Sequence, residues 1–338
     1  MLNLLFHIVR GPKKAYYLII LGSFMMLILM ALSVIKIDLV VNGLIMGSII
    51  SLGAMGLTLI YGNLKFAHMA HGDFMTLAAY ITLYIVTVPF LHIGLDSTGM
   101  GLFTFGYPLI MAFPFAIALV CLVAVAMDYL VYRRLRNRRA NTVIVAMASL
   151  GIAIALRGFV QIIWGGDIEQ YPRLSKPFFL LPMDIRIPPD AIFITIVALL
   201  LTLSLHLFLT RTKMGKAMRA TSDNMELAQV TGINTDLVIR WTWIIAVGLS
   251  AIAGVLLAVF QAQLLPIMGW NFLIPLFAAV ILGGIGNPYG AFIGAMIVGV
   301  SAEVSTEWMN PSYKPTISFA ILIVMLLIRP RGILGRKD

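Results

Sequence analysis

The chain has 338 residues, of which 61% are hydrophobic and 11% are charged, and its mean hydropathy is +0.99. A soluble domain carries about 25% charged residues, so this composition excludes a soluble globular protein. One cysteine, Cys121, excludes a disulfide framework and a cysteine-rich metal site. The net charge of +10 would favour a nucleic-acid partner in a soluble protein. Here the basic residues are expected to mark membrane topology instead.

Apolar runs long enough to cross a membrane recur along the whole chain. A helix that crosses about 30 Å of hydrocarbon needs roughly 20 apolar residues. Such runs occur at 16–35, 39–61, 72–91, 107–131, 142–164, 190–210, 241–262, 289–306 and 315–328. A tenth run at 272–285 is shorter and ends in a helix-breaking sequence, so it is either a tilted span or half of a re-entrant hairpin. The pattern predicts an all-α polytopic protein with about 10 transmembrane helices in a single domain, 1–338.

The distribution of Lys and Arg predicts the orientation of these spans. With the N-terminus inside and ten spans, eighteen of the 24 basic residues fall in inside segments and five in outside segments, and Arg157 lies within a span. Cytoplasmic loops carry the excess of Lys and Arg, so both termini are expected inside. The run 16–35 is too long for a signal peptide and is expected to be a retained first helix.

Three segments contain residues that a helix does not need merely to cross a membrane. In the first, small residues recur every three to four positions from Gly43 to Gly62, which predicts close packing against another helix. The second is His68-Met69-Ala70-His71-Gly72-Asp73, where ionisable groups enter a span. Asp73 fits either a helix cap or a role in gating or transport. Two His without suitable partners make a weak metal site, so no metal is predicted.

The third segment is the inside loop at 211–240, which is predicted to carry a short amphipathic helix. Asp223 is expected to cap this helix, with Met225, Ala228 and the Val230/Thr231 region near one stripe and Gly232 ending it. Because these apolar residues are small, docking into a partner protein is favoured over insertion into lipid.

Other charges lie within or near the spans, and catalytic motifs are missing. Arg157 is expected to neutralise a carboxylate or to snorkel, and Glu303 and Asp128 to be structural. The sequence contains no P-loop, no H-E-x-x-H, no G-x-S-x-G and no dinucleotide fingerprint. A transport role is therefore expected, and an enzyme is not.

These segments together resemble one family, the permeases of bacterial branched-chain amino acid ABC importers. The resemblance covers about residues 40–330 in the family's order. It rests on Asn42-Gly43-Leu44 through Gly56-Leu57-Thr58 to Ala70-His71-Gly72-Asp73, on Met214 to Ala220, on Glu226 to Gly232, and on Ala279 to Asn287. The chain has His68-Met69 where the family commonly has Asn-Phe, and Leu227 where the family has Ala.

The resemblance implies site residues and partners. The ATPase-coupling residues would be Gly215, Ala217, Arg219, Glu226, Ala228 and Gly232 in the loop 211–240. Residues of the pathway or its gate would be His71, Gly72, Asp73, Gly283, Gly284 and Gly286. The partners would be a second permease subunit (a paralogue or a second copy), two cytoplasmic ATPases that use ATP, an extracytoplasmic binding protein and membrane lipid. This chain itself would bind no cofactor.

The resemblance also implies a location and a substrate class. The chain is expected in the bacterial cell (inner) membrane, with Leu, Ile and Val as substrates. Spans 2–5 and 7–10 start from opposite sides, which permits an inverted repeat. Urea, short amides or other amino acids are alternative substrates for the same architecture. An ion-coupled secondary transporter is the alternative outside the family, and an integral-membrane enzyme is the third class.

Overall fold

The computed structural model describes residues 36–88, 101, 103–174, 178–181 and 185–335. The expected first span at 16–35 and the basic residues Arg10, Lys13 and Lys14 lie outside these residues. The regular secondary structure of the described part is helical except for a short antiparallel hairpin in the segment 165–189, β1 (Phe179–Leu181) and β2 (Ile185–Ile187). The sequence did not predict this hairpin.

The helices follow the apolar runs closely. The first part of the chain forms α1 (Ile37–Leu64), α2 (His71–Thr87), α3 (Tyr107–Met127), a π-helical turn (Asp128–Tyr132), α4 (Arg133–Asn137) and α5 (Thr142–Trp164). The second part forms α6 (Pro189–Arg211), α7 (Lys213–Asp223), α8 (Met225–Val230), α9 (Thr235–Gln261), α10 (Met268–Gly283), α11 (Pro288–Val304) and α12 (Lys314–Ile328). Short 3₁₀ turns at Ser305–Glu307 and Pro311–Tyr313 join the last two helices.

Seven helical segments among the described residues are long and apolar enough to cross a membrane. They are Ile37–Leu64, Tyr107–Asn137, Thr142–Trp164, Pro189–Arg211, Thr235–Gln261, Pro288–Glu307 and Pro311–Ile328. The helices α2 and α10 are shorter, with 17 and 16 residues. The chain is therefore a polytopic membrane protein.

Asparagine and threonine side chains begin many of the helices. Each accepts a hydrogen bond from a backbone N–H of the first turn, which satisfies a group that the helix leaves unpaired. These caps are Asn141, Thr212, Asn224, Asn234 and Asn287. The predicted cap Asp223 is wrong, because Asp223 is the last residue of α7 and Asn224 has the extended backbone that a cap requires.

Side-chain and backbone contacts divide the ends of the helices between two faces of the molecule. On one face, which we call the Lys65 face, Lys65 Nζ donates to the Ser222 carbonyl at 2.7 Å and Arg133 pairs with Asp236 at 2.9 Å. On the opposite face, the Lys36 face, Lys36 pairs with Glu307 at 3.3 Å and Lys314 with Glu303 at 2.6 Å. Segments predicted on the same side of the membrane thus lie together.

Two long helices, α1 and α9, form the buried centre. Glycines permit the other helices to approach them closely, as the sequence predicted for α1. A Cβ on Gly43 would lie 2.6 Å from Val300 Cα of α11, and one on Gly254 would lie 2.6 Å from the Met75 carbonyl carbon of α2. In contrast, α12 is largely exposed, with Ser318 as its one buried residue.

The helices α1 and α9 end in the same way. Each is followed by a non-glycine residue in the left-handed conformation, Lys65 (φ 58°) and Ala262 (φ 60°). The chain then turns back, and a shorter helix, α2 or α10, begins inside the molecule. Gly72 and Gly269 each lie seven positions after the left-handed residue, and the two glycines touch each other.

Candidate functional site

The starts of α2 and α10 meet near the middle of the long helix α1. His71 bonds Gly53 of α1, eleven residues before the end of α1, which places His71 about 16 Å from that end of a helix about 42 Å long. A Cβ on Gly72 would overlap the backbone of Gly269, and a Cβ on Gly269 would overlap that of Gly72. Only glycine therefore fits at either position.

His71 is buried and held by the backbone. Its Nε2 lies 2.9 Å from the Gly53 carbonyl oxygen, and because a carbonyl only accepts, Nε2 carries the proton. The His71 Nδ1 then accepts from the Nδ1–H of His68, 3.5 Å away. Ser250 of α9 donates to the His71 carbonyl at 3.0 Å. The His71 imidazole thus ties the start of α2 to α1, and the His71 carbonyl ties it to α9. The described residues contain no group of three or more His, Cys, Asp or Glu side chains that could hold a metal ion.

Asp73 accepts hydrogen bonds from Arg157 of α5. The guanidinium Nε and Nη2 lie 3.1 and 3.0 Å from Asp73 Oδ1. Asp73 is 1% exposed, and the Arg157 side chain is 19% exposed. The other side of the guanidinium contacts the ring of Trp270 in α10, with 4.7 Å between Arg157 Cζ and the ring centroid. We call Asp73, Arg157 and Trp270 the midplane cluster.

The midplane cluster joins three helices that are distant in sequence. Arg157 lies fifteen residues into α5, about 22 Å from its first residue, and so lies well inside the ends of its helix, as His71 does beside α1. The prediction that Arg157 neutralises a carboxylate is confirmed, with Asp73 as its partner. Sequence reasoning missed Trp270, which lies just before the run 272–285, because nothing in the sequence there points to an aromatic residue that packs on a cation.

The predicted glycines at the end of α10 lie far from the midplane cluster. Gly283 lies about 21 Å along α10 from Gly269, and it packs against Gly290 at the start of α11. Gly284 (φ 111°) and Gly286 (φ 84°) have conformations that favour glycine. The N–H of Gly286 donates to Thr58 Oγ1 at 2.9 Å. The structure therefore separates the six predicted pathway residues into a midplane group and a turn on the Lys65 face.

This turn lies beside the loop 211–240. A cleft of about 310 Å³ separates them, and its lining includes Lys65, Arg219, Ser222, Gly286 and Asn287. A movement of this loop can therefore be transmitted to the ends of α1, α10 and α11 through few intervening residues.

The first half of the predicted coupling loop packs on the membrane helices. The N–H of Gly215 donates to Thr212 Oγ1 at 2.9 Å, and a Cβ on Gly215 would lie 2.5 Å from Leu209 Cα. Ala217 is partly buried, and Arg219 is exposed at the edge of the cleft. Gly215 is thus required where α7 crosses the end of α6.

The second half of the loop presents α8 to solvent. Ala228 is buried at 3% exposure, whereas Glu226 is exposed, and Gly232 (φ 88°) ends the helix as predicted. The predicted stripe is wrong for Val230, which is 81% exposed, while Leu227 is 60% exposed. Met225 and Ala228 anchor α8, and its outward apolar residues are Leu227 and Val230. A single turn and a half of helix gives too few residues for the sequence to fix which side faces the protein.

Comparison with known proteins identifies the family. Residues 39–326 match the family described as branched-chain amino acid transport system / permease component. The chain is 32% identical over 302 residues to the high-affinity branched-chain amino acid transport system permease protein LivH of Escherichia coli (strain K12), covering 88% of this chain and 94% of the relative.

Two further relatives are similar over nearly the same length. The permease protein BraD of Pseudomonas aeruginosa is 31% identical, with 88% of this chain and 95% of the relative covered. The probable permease protein LivH of Methanocaldococcus jannaschii is 29% identical, with 87% and 91% covered. The chain therefore belongs to the permease components of branched-chain amino acid transport systems and is a membrane transporter subunit, not an enzyme.

Proposed function

We propose that this chain forms half of the membrane pathway of an ATP-driven importer of Leu, Ile and Val in the cell (inner) membrane. A second permease subunit completes the pathway, two ATPases bind on the Lys65 face, and a binding protein delivers substrate on the Lys36 face. The chain itself binds no cofactor, and ATP is used by the ATPases. Family membership supports this assembly, and the exposed helix α8 carries the assignment of the ATPase site.

The geometry of α8 fits a docking element. Leu227 and Val230 place exposed apolar surface on a short helix that Ala228 fixes to the protein and Gly232 ends. A short helix with an outward apolar side can dock into a groove of a partner protein. The neighbouring helix α7 packs through Gly215 on α6 and borders the cleft beside Gly286. Movement of a bound ATPase would therefore reach the ends of the membrane helices directly.

The topology we propose has ten spans in one domain, with both termini inside and the Lys65 face cytoplasmic. The excess of basic residues in the segments of that face supports this orientation. A cysteine introduced at Asn137 should be labelled from outside only after the membrane is permeabilised, whereas one at Asn310 should be labelled in intact cells. The opposite result would contradict the orientation.

We further propose that spans 2–5 and 7–10 form an inverted repeat. The left-handed residues Lys65 and Ala262 and the touching glycines Gly72 and Gly269 support this assignment for α1–α2 and α9–α10. Transporters of other classes use such repeats to alternate between outward and inward states around a site at the membrane midplane. We assign His71, Gly72 and Asp73, which lie near the middle of α1, to the pathway, and Gly283, Gly284 and Gly286 would transmit movement from the coupling loop.

Replacement of Val230 tests the proposed function. In proteoliposomes that contain both permeases, the ATPases and the binding protein, Val230→Asp should abolish co-purification of the ATPase and ATP-driven leucine uptake. Val230→Ile preserves the apolar surface and should retain both. Full uptake by Val230→Asp would overturn the docking assignment, and uptake without ATP would overturn the importer itself.

The substrate is tested separately. Calorimetric titration of the binding protein with leucine, isoleucine, valine, other amino acids and urea should give binding to the first three. Binding of urea or a short amide alone would overturn the substrate and leave the permease assembly intact.

A further inference from the structure

We infer that the second permease subunit packs against one particular surface, which is formed by α5 and the beginning of α10 and which lines the pathway. We call it the α5–α10 face and define it by Gly151, Ala155 and Gly158 of α5 and Asn271 of α10, with Arg157 at its edge. The inference rests on the proposed two-permease assembly and identifies where the two subunits meet.

An exposed amide near the membrane midplane carries the argument. Asn271 is the fourth residue of α10, which begins beside Gly72 and therefore well inside the ends of the long helix α1. Its side chain is exposed, and it makes no hydrogen bond within the part of the chain that the structure describes. Hydrocarbon offers no partner to an amide, and polar groups at this depth face a protein or a water-filled cavity. Asn271 therefore does not face lipid in the assembled transporter.

Arg157 supplies a second polar group at the same level. Its side chain remains 19% exposed although Asp73 and Trp270 hold the guanidinium on two sides. A partly exposed cation at the membrane centre is costly against lipid. Water or a protein partner on the adjoining surface removes that cost.

The small residues on one side of α5 favour contact with a second helix over contact with lipid. Gly151 and Ala155 are exposed and lie one helical turn apart, and Gly158 follows them. No other part of the described chain comes within 4 Å of a Cβ built on Gly151 or Gly158. The other helical glycines of the described chain that lie in spans have such neighbours. Small residues at this spacing let two transmembrane backbones approach closely.

Two other exposed surfaces, on α6 and α12, differ from the α5–α10 face because they have the properties expected of a contact with lipid. On α6, the exposed Leu199, Leu200 and Leu203 accompany Ser204 and His206, and both of these polar side chains bond within the subunit. On α12, the exposed residues from Phe319 to Ile328 are apolar, with Leu327 at 79% exposure. These helices need no partner, and they provide matched controls for the α5–α10 face.

Photo-cross-linking in the assembled complex tests the inference. Benzoylphenylalanine replaces Ile154 or Met147 on α5 and, as controls of similar exposure, Leu203 on α6 or Leu327 on α12. Each variant must first show ATP-driven uptake, so that failure of the proposed function is recognised independently. Irradiation should join the α5 variants to the second permease subunit and should join the control variants to lipid alone.

Thiol accessibility supplies the second measurement. In a Cys121→Ser background, Asn271→Cys should react with a membrane-impermeant charged thiosulfonate reagent in the working complex, and Leu203→Cys and Leu327→Cys should not. The inference is overturned if the α5 variants cross-link only to lipid, or to residues 16–35 of their own subunit. Preferential cross-linking of the second permease from α6 or α12, or equal labelling of all three cysteines, would overturn it as well.

Discussion

The α1–α2 pair and the α9–α10 pair share a backbone plan and differ in the chemistry of their side chains. Lys65 and Ala262 adopt the same left-handed conformation, and Gly72 and Gly269 meet at the midplane. The next residue in each pair is Asp73 or Trp270, and both contact Arg157. The residues at these equivalent positions thus contact the same cation, Asp73 through its charge and Trp270 through its aromatic ring.

The two pairs therefore share one backbone arrangement although their side chains differ in polarity. Where the chain turns back towards α2, it carries His68, His71 and Asp73, which need partners inside the membrane. The turn towards α10 carries Leu265, Met268 and Trp270, which bear no charge, and its polar residue Asn271 is exposed rather than paired with a charged group of the described chain. Charge is therefore concentrated on the α2 side, and Arg157 from α5 balances it.

The largest expected effect on stability comes from removing the Arg157 cation that balances the Asp73 charge. Arg157→Gln leaves the buried Asp73 carboxylate without its cation and should lower the free energy of unfolding in detergent by about 3–5 kcal/mol. Asp73→Asn in the same chain should recover part of the loss, because it removes the buried charge. Trp270→Phe keeps a ring over the guanidinium and should cost less than about 1 kcal/mol. Equal losses from Arg157→Gln and Trp270→Phe would show that the two sides of the cluster contribute equally.

The second-largest expected effect on stability comes from replacing either of the two touching glycines, Gly72 and Gly269. Gly72→Ala and Gly269→Ala should each lower the free energy of unfolding by roughly 1–3 kcal/mol, because the added methyl group overlaps backbone that has little room to move. Their effects should be similar if the two helix starts are equivalent. Gly248→Ala in α9 is the control, since its Cβ would lie 3.6 Å from Cys121 Sγ. Destabilisation by the control as large as at Gly269 would contradict the assigned cause.

Sequence patterns predicted those features that depend on neighbouring residues. Apolar length located the helices, and the spacing of small residues from Gly43 to Gly62 identified the packing surface of α1. The chain-breaking Gly284 and Gly286 likewise follow from local backbone preference. A charged residue inside a span requires a partner or a route to the interface, so Arg157 was expected to neutralise a carboxylate or to snorkel, and the structure shows the first.

The choice of partners depends on the three-dimensional packing and could not be predicted. Asp73 and Arg157 are brought together by the packing of α2 on α5, and Trp270 joins them only because α10 begins inside the molecule. Similarly, the exposure of Val230 depends on how α8 rests on its neighbours. The cap of α8 was placed one residue too early because Asp and Asn both suit that position, and the backbone conformation decides between Asp223 and Asn224.

The smallest expected effect concerns the two left-handed residues. A non-glycine residue in this conformation costs roughly 1–2 kcal/mol, and glycine removes that cost while adding about 0.4–1 kcal/mol of unfolded-state entropy. Ala262→Gly should therefore raise the free energy of unfolding by up to about 1 kcal/mol. Lys65→Gly should gain less, because it also removes the exposed bond from Lys65 Nζ to the Ser222 carbonyl. Thermal unfolding of both variants in the same detergent measures the difference. A larger gain at Lys65 would show that its bond to Ser222 contributes nothing, and a loss at Ala262 would contradict the conformational strain that the two turns are inferred to share.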